Sequence, residues 1–219
     1  MARLLSGGPR THGTSRGSVP LAPRLPRPDD SRIVATIRVY EEETDARAVG
    51  RLIADTFGRY NLSHFPPVER DLFLGPFRHA TSDDPAHRAE IARMIRSEIV
   101  LVADDAGEIV GVLRGRAERL GSLFVRGDRH RGGIGRALVE WFEKLAWLQG
   151  GRRVHVAATP YAVPFYLAVG YKRSTGARRM KVFEGSNYLY QPMKKVLAPT
   201  GDGSELGASA CARAQAARR

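Results

Sequence analysis

Cysteine and long apolar stretches are scarce in this chain of 219 residues, and each scarcity excludes a class of protein. The only cysteine, Cys211, lies near the C-terminus, which rules out an intrachain disulfide and leaves the central sequence without a thiol for a zinc site or a covalent intermediate. The six histidines show no metal-ligand spacing, so we expect no metal. No apolar run approaches the ~20 residues of a membrane span, and the first residues lack the apolar core of a secretory signal. We therefore expect a cytoplasmic protein without a membrane partner.

Acidic residues are outnumbered by basic ones, and the formal net charge is +12. Residues 1–32 contribute +4 and residues 199–219 contribute +1, so the segment 33–198 keeps +7. This excess favours an anionic ligand, but the basic residues form no dense block interleaved with aromatic residues, as nucleic-acid-binding proteins often have. A phosphorylated cofactor fits the charge at least as well as DNA or RNA, and we expect no nucleic-acid partner.

The composition divides the chain into a central domain and two tails. Residues 1–32 are rich in Pro, Gly, Ser and Arg without apolar periodicity, and residues 199–219 are similar, so both segments are expected to be disordered. Residues 33–198 are long enough to bury a sizeable core. Before Asp29 the chain has no acidic residue and several Arg and Ser, which is also typical of an organelle transit peptide. A disordered leader and a misplaced start codon are the alternatives, and the sequence leaves all three open.

Apolar periodicity predicts alternating helices and strands in the central domain, which indicates a mixed α/β fold without internal repeats. Strands are predicted at Ile33–Val39, Ile99–Ala103, Glu108–Gly115, Leu120–Val125, Val154–Ala158, Tyr171–Thr175 and Tyr188–Lys194. Helices are predicted after a cap at Thr44 or Asp45, over Pro85–Ser97, from Ile134 to Leu148 and over Pro164–Val169. The intervening segment Gly58–Ser82 is interrupted by prolines, which favours a loop with one or two short helical turns.

A basic glycine-rich loop connects one of these strands to the longest predicted helix. The loop and first helical turn span residues 126–136, where Gly132, Gly133 and Gly135 fall within four positions and Arg129, Arg131 and Arg136 add positive charge. Glycine permits left-handed backbone and close approach of a ligand, and the first turn of a helix offers free N–H groups and the positive end of its dipole to an anion. The spacing fits neither a Walker loop, which needs Gly-Lys-Ser/Thr, nor the dinucleotide fingerprint, which needs a third glycine where Leu138 stands. An anion-binding loop and a plain solvated loop are both compatible with these residues.

Two motifs in order resemble the GNAT superfamily of acyl-CoA N-acyltransferases. The first is Leu-x-Val at 123–125, then five residues, then Arg-Gly-Gly-Ile-Gly-Arg-Ala-Leu at 131–138. The second is Ala-Val-Pro-Phe-Tyr-Leu-Ala-Val-Gly-Tyr at 162–171, similar to the family's Ala-x-x-Phe-Tyr-x-x-x-Gly-Phe segment. The resemblance implies a mixed, mostly antiparallel central sheet flanked by helices over residues 33–198, and acetyl-CoA as co-substrate.

The resemblance also implies roles for particular residues. Cofactor contacts are implied for Leu123, Phe124, Val125, His130, Arg131, Gly132, Gly133, Ile134, Gly135, Arg136, Thr159 and Phe165. The strand would offer its backbone to the pantetheine arm and the acetyl carbonyl, the loop would surround the pyrophosphate, and Thr159 would bond the pantetheine amide. Tyr166 corresponds to a catalytic tyrosine that can protonate the departing thiolate, although a Phe-Tyr pair in an apolar helix also suits plain core packing.

The chain departs from the family pattern at three positions. His130 stands where Gln or Arg is common, Thr159 where Asn is common, and Val154 where the branch that acetylates protein N-termini often has Glu. The general base is therefore not identified, and the candidates are Glu118, Glu69, Asp71, His155 or an ordered water. By the same resemblance, the acceptor site is expected around residues 64–70 and 183–190.

The sequence thus predicts an N-acetyltransferase that moves an acetyl group from acetyl-CoA to a primary amine by direct attack in a ternary complex. The acceptor is expected to be a small-molecule or peptide amine, and a homodimer is left open. The alternative is a catalytically silent CoA-binding or sensing module of the same fold.

Overall fold

Eight strands form a mixed sheet in the computed structural model, which describes residues 35–198. The strands are Thr36–Val39 (β1), Ile99–Asp105 (β2), Glu108–Arg116 (β3), Arg119–Val125 (β4), Arg153–Ala158 (β5), Lys172–Arg173 (β6), Arg178–Val182 (β7) and Gly185–Val196 (β8). Their spatial order is β1-β2-β3-β4-β5-β8-β6, and β7 pairs with β8 beside this path. Within the described strands only β4 and β5 run parallel, so the expected mostly antiparallel sheet is confirmed.

Helices cover both faces of the sheet. They are Glu42–Thr56 (α1), Pro67–Leu74 (α2), Pro85–Ile95 (α3), Ile134–Leu148 (α4) and Val163–Ala168 (α5). A π-helix over Phe57–Asn61 follows α1 directly, and a 3-10 helix over Gly75–His79 follows α2. Helices α2 and α3 begin with features that are common at helix N-termini. Each has a proline as its first residue, and Asp84, which precedes α3, accepts a hydrogen bond from the Ala86 N–H at 2.8 Å.

Alternate residues of the central strands pack into two separate cores. Leu101 and Leu113 lie in the core beneath α4, where Leu138 and Phe142 are fully buried. Val100, Val102 and Val112 face the opposite way and pack with side chains of α1 and α3. Burial on both faces explains why residues 99–103 of β2 form a continuous apolar run rather than an alternating one.

The predicted elements agree with the structure in the middle of the chain and differ near its ends. The hairpin of β2 and β3 is confirmed, with Ala106 and Gly107 at positive φ in a tight turn. Helix α1 begins at Glu42, before the predicted caps; the Asp45 carboxylate instead bonds the Glu41 N–H and the Arg38 guanidinium. The first strand is described only from Thr36, and both tails lie outside the described residues.

Two other regions also depart from the prediction. The segment 58–82, expected to be mostly loop, contains α2 and the two adjoining short helices. Strand β7 is an additional strand, and β8 extends beyond the predicted Tyr188–Lys194 because it pairs with β7 at one end and β5 at the other. In the part of the chain that is described, no helix is long and apolar enough to cross a membrane.

Candidate active site

The parallel strands β4 and β5 separate soon after they meet. They pair only at Arg119 with His155 and at Leu120 with Val156. Beyond this point a cavity of about 1050 Å³, called here the central cavity, opens between residues 121–125 of β4 and residues 156–159 at the end of β5. The backbone of Leu123–Val125 therefore has β3 on one side and the central cavity on the other.

Backbone direction determines which groups of β4 face the gap. The Arg126 N–H donates to the Val110 carbonyl of β3 at 2.9 Å. Because consecutive residues of an antiparallel strand point their polar groups to opposite sides, the N–H and C=O groups of Val125 and Leu123 point away from β3. The Val125 carbonyl accordingly accepts a hydrogen bond from His130 Nε2 at 2.7 Å. The Leu123 polar groups and the Val125 N–H are thus directed toward the separation between β4 and β5.

The glycine-rich loop turns the chain from β4 into α4 beside this gap. A 3-10 turn over Gly127–Arg129 comes first, then Arg131 and Gly133 at φ values of 64° and 80°. Of the three glycines expected to permit left-handed backbone, only Gly133 uses it. Gly135 serves close packing instead, because a Cβ there would lie 3.2 Å from the Phe165 ring. No side chain caps α4, so the N–H groups of its first turn lack intrahelical partners, and residues 133–136 of this turn line the central cavity.

The arginines of the loop differ in their pairing. Arg129 forms an ion pair with Asp105. Arg131 and Arg136 are exposed and have no carboxylate within 4.0 Å among the described residues, although Arg136 contacts the Ala168 carbonyl at 3.4 Å. The charge available to an anion at the start of α4 therefore comes from Arg131, Arg136 and the helix N-terminus.

Tyr166 lies on α5, which packs beside the start of α4 through the contact of Phe165 with Gly135. Its side chain is 4% exposed and packs edge-on against Phe165 and Tyr171, with ring centroids 5.2 and 5.4 Å away. Tyr166 also lines the central cavity, so it is both a core residue and part of the cavity wall. Burial raises the pKa of the Tyr166 phenol well above its usual range, so the group is a proton donor at neutral pH.

The π-helix after α1 supplies residues that sequence reasoning missed. Asn61 Nδ2 donates to the Thr159 hydroxyl at 2.9 Å, which joins this helix to the end of β5. The Tyr60 ring lies 4.8 Å from the His130 ring and stacks on Tyr161 at 5.7 Å, so it closes over the glycine-rich loop. The only sequence signal was that the helical spacing of α1 continues to Phe57.

The other walls of the cavity carry aromatic and basic residues from the described part of the chain. All the residues predicted to contact the cofactor line the cavity except Gly132. Phe183 and Tyr188 of the predicted acceptor segment 183–190 line it too, whereas no residue of 64–70 does. Among the described residues, no Asp or Glu lines the central cavity.

The predicted general bases lie elsewhere. Glu69 and Asp71 are exposed on α2 and do not line the cavity. Glu118 and His155 line a separate, smaller hollow at the other end of β4, near the turn that joins β3 to β4. The structure therefore does not bring any of these four side chains to the gap.

Comparison with known families identifies this arrangement. The model of the acetyltransferase (GNAT) domain matches residues 76–197, which is more than half of the chain. The chain belongs to the GNAT family. The predicted resemblance is thereby confirmed, and acyl transfer is the class of activity that the family indicates. No curated protein sequence matches the chain.

Solved structures show the same GNAT fold at low sequence identity. A GCN5-related N-acetyltransferase from Rhodopseudomonas palustris is 21% identical, with a TM-score of 0.60 over 74% of this chain and 96% of that one. The PaiA N-acetyltransferase from Thermoplasma acidophilum, in complex with coenzyme A, is 15% identical, with a TM-score of 0.57 over 74% and 98%. The yncA protein from Salmonella typhimurium, with its cofactor acetyl-CoA, is 16% identical, with a TM-score of 0.50 over 78% and 98%. At these identities the likeness establishes the fold of this GNAT domain.

Proposed function

We propose that this GNAT protein transfers an acetyl group from acetyl-CoA to a primary amine by direct attack in a ternary complex. The observation that carries the proposal is the meeting of three features on one cavity: the β4–β5 gap, the uncapped start of α4, and the Tyr166 phenol. Relatives of the same fold have been solved with coenzyme A or acetyl-CoA. The reactive thioester is supplied by the co-substrate, and the chain supplies binding, orientation and proton transfer.

The loop and the gap suit the two halves of such a co-substrate. The first-turn N–H groups of α4, with Arg131 and Arg136, would hold the pyrophosphate, because these positive groups have no carboxylate partner of their own. The gap beside Leu123–Val125 would hold the pantetheine arm. The amides of this arm need strand-like partners, and the polar groups of Leu123 and the Val125 N–H point into the gap. Thr159, held by Asn61, lies at the far side of the same gap.

Amine attack on a thioester places negative charge on the carbonyl oxygen, then on sulfur. A backbone N–H of β4 aimed into the gap can stabilise the oxyanion. The Tyr166 phenol, kept protonated by its raised pKa, would protonate the departing sulfur. Since no carboxylate of the described chain lines the cavity, we infer that the acceptor ammonium loses its proton to water rather than to an acidic side chain, and that the neutral amine then attacks.

The experiment is acetyl-CoA turnover, measured as release of CoA thiol, across a panel of primary amines. Tyr166→Phe should lower kcat by about 10²- to 10⁴-fold, the usual contribution of a general acid, and leave CoA affinity unchanged. Tyr171→Phe is the matched control, because Tyr171 is a buried neighbour of Tyr166 that does not line the cavity. Its kcat should stay near that of the parent protein.

Two outcomes would count against the proposal in different ways. Full activity in Tyr166→Phe would remove the catalytic role of that residue and leave acetyl transfer standing. Tight CoA binding without thiol release for any amine would favour a silent CoA-binding module, which the missing carboxylate base also permits.

A further inference from the structure

An unpaired arginine lies in the wall of the central cavity. Arg114, on β3, lines the cavity, and its Nε donates to the Ser122 hydroxyl at 3.1 Å. Among the described residues, no carboxylate lies within 4.0 Å of its guanidinium. Burial lowers the pKa of Arg114 and no acidic neighbour offsets this effect, although the group stays charged at any ordinary pH. A desolvated cation without a counterion is costly unless something else binds it.

Two other polar groups in the same wall also lack partners. The Thr56 hydroxyl, at the end of α1, is buried and makes no hydrogen bond. The Tyr188 hydroxyl lies beside the Asn61 amide without forming a hydrogen bond of normal geometry. Both residues line the central cavity with Arg114. Because buried polar groups are nearly always satisfied, two buried hydroxyls without hydrogen bonds and an arginine without a counterion in one cavity wall indicate a polar, anionic ligand.

The position of Arg114 limits the size of that ligand. Arg114 of β3 lies opposite Ser122 of β4, and Val112 lies opposite Phe124. Arg114 is therefore two residues along the strand from the position opposite Phe124, which is the residue between Leu123 and Val125. Two residues along a strand span roughly 7 Å. An anion at Arg114 and an amine at the β4–β5 gap would therefore be separated by only a few bonds.

The charge of the cavity selects the class of ligand. A polycationic acceptor would need carboxylates, and none of the described residues lining the cavity is acidic. Resting on the proposed acetyl transfer, we propose that the acceptor is a primary amine that also carries a carboxylate, of amino-acid size, and that the carboxylate pairs with Arg114. Arg114 is then the residue that determines acceptor specificity.

Matched acids and amides test this inference. The substrates are ω-amino acids with one to five methylenes between amine and carboxylate, each compared with its primary amide. We expect the acid to exceed the amide in kcat/KM by about 10- to 100-fold at the best chain length, as is typical for a hydrogen bond to a buried charge. Arg114→Gln should abolish this preference by lowering kcat/KM for the acid only. Arg116→Gln, an exposed arginine on the same strand outside the central cavity, should leave the preference unchanged.

The outcomes separate this inference from the proposed function. Turnover with equal kcat/KM for acids and amides overturns the role of Arg114 and leaves acetyl transfer intact. If no amine supports turnover, the proposed function fails, and calorimetric titration of 4-aminobutyrate into the CoA-saturated protein decides the inference. Binding that disappears in Arg114→Gln supports it, and absence of binding overturns it. Thermal unfolding of each variant, with a midpoint near that of the parent protein, confirms that the fold is kept.

Discussion

Replacing Gly133 by alanine should weaken CoA binding without unfolding the protein. Gly133 has φ +80° at the start of α4, and an L-residue in this region costs about 1–2 kcal/mol. The adjoining residues Arg131 and Gly132 are exposed, so the loop can relax locally in the free protein. Restoring the bound conformation then costs the same free energy, which corresponds to a Kd for CoA raised by roughly 5- to 30-fold.

Gly150→Ala is the matched control for this prediction. Gly150 follows the other end of α4 at φ +89°, and a Cβ there meets nothing within 4 Å. It carries the same backbone strain far from the loop, so its Kd should stay within about twofold of the parent value.

Calorimetry with three ligands identifies which part of CoA is affected. Dephospho-CoA retains the pyrophosphate and should lose as much affinity as CoA in Gly133→Ala, whereas acetyl-pantetheine lacks it and should lose none. Equal CoA affinity in Gly133→Ala and the parent protein would refute the assignment of this loop to the pyrophosphate, as would equal losses in both glycine variants.

Three further predictions concern stability and pH. Leu138→Ala, at a fully buried position of α4, should lower the free energy of unfolding by about 2–5 kcal/mol in urea titration, whereas Leu148→Ala on the exposed side should have little effect. Burial would raise the pKa of Asp45, but hydrogen bonds from Arg38 and the Glu41 N–H outweigh it and the pKa is lowered. The stability it contributes is therefore present above about pH 4 and is lost as pH falls further, so the destabilisation caused by Asp45→Asn should shrink in that range. Because the Tyr166 pKa is raised, the ratio of kcat between the parent protein and Tyr166→Phe should stay constant from pH 7 to 10, and a fall in this ratio would contradict the raised pKa.

Local sequence patterns were sufficient for the elements with strong apolar periodicity. The β2–β3 hairpin, β4, the glycine-rich loop and α4 follow the predicted order, because each depends on neighbours within a few residues. Strand β7 was not predicted because three of its five residues, Arg178, Arg179 and Lys181, are basic. Its strand conformation depends on pairing with β8 rather than on its own residues.

The candidate site also has parts that the sequence predicted and parts that only the structure shows. The segments that form the loop and the Tyr166 helix are recognisable along the chain, and nearly all the residues predicted to contact the cofactor do line one cavity. No sequence pattern indicated Asn61 or Arg114 as part of the site. Asn61, for example, reaches Thr159 across 98 residues of chain, and a local pattern does not show such a contact. Glu118 and His155 could act as bases by their chemistry, and the sequence suggested both. The pairing of β4 with β5 places them at the end of β4 that lies away from the central cavity.

By itself, the sequence determined the family, the fold class and the glycine-rich loop, because glycine spacing and apolar periodicity express backbone requirements that are local. Only the tertiary structure decided what faces the central cavity. The separation of β4 from β5, the closure by Tyr60 and the position of Arg114 in the cavity wall without a counterion all depend on elements distant in sequence. In the proposed function, the loop binds the donor and the cavity wall selects a carboxylate-bearing acceptor, so donor binding depends on a local pattern and acceptor choice depends on those non-local contacts.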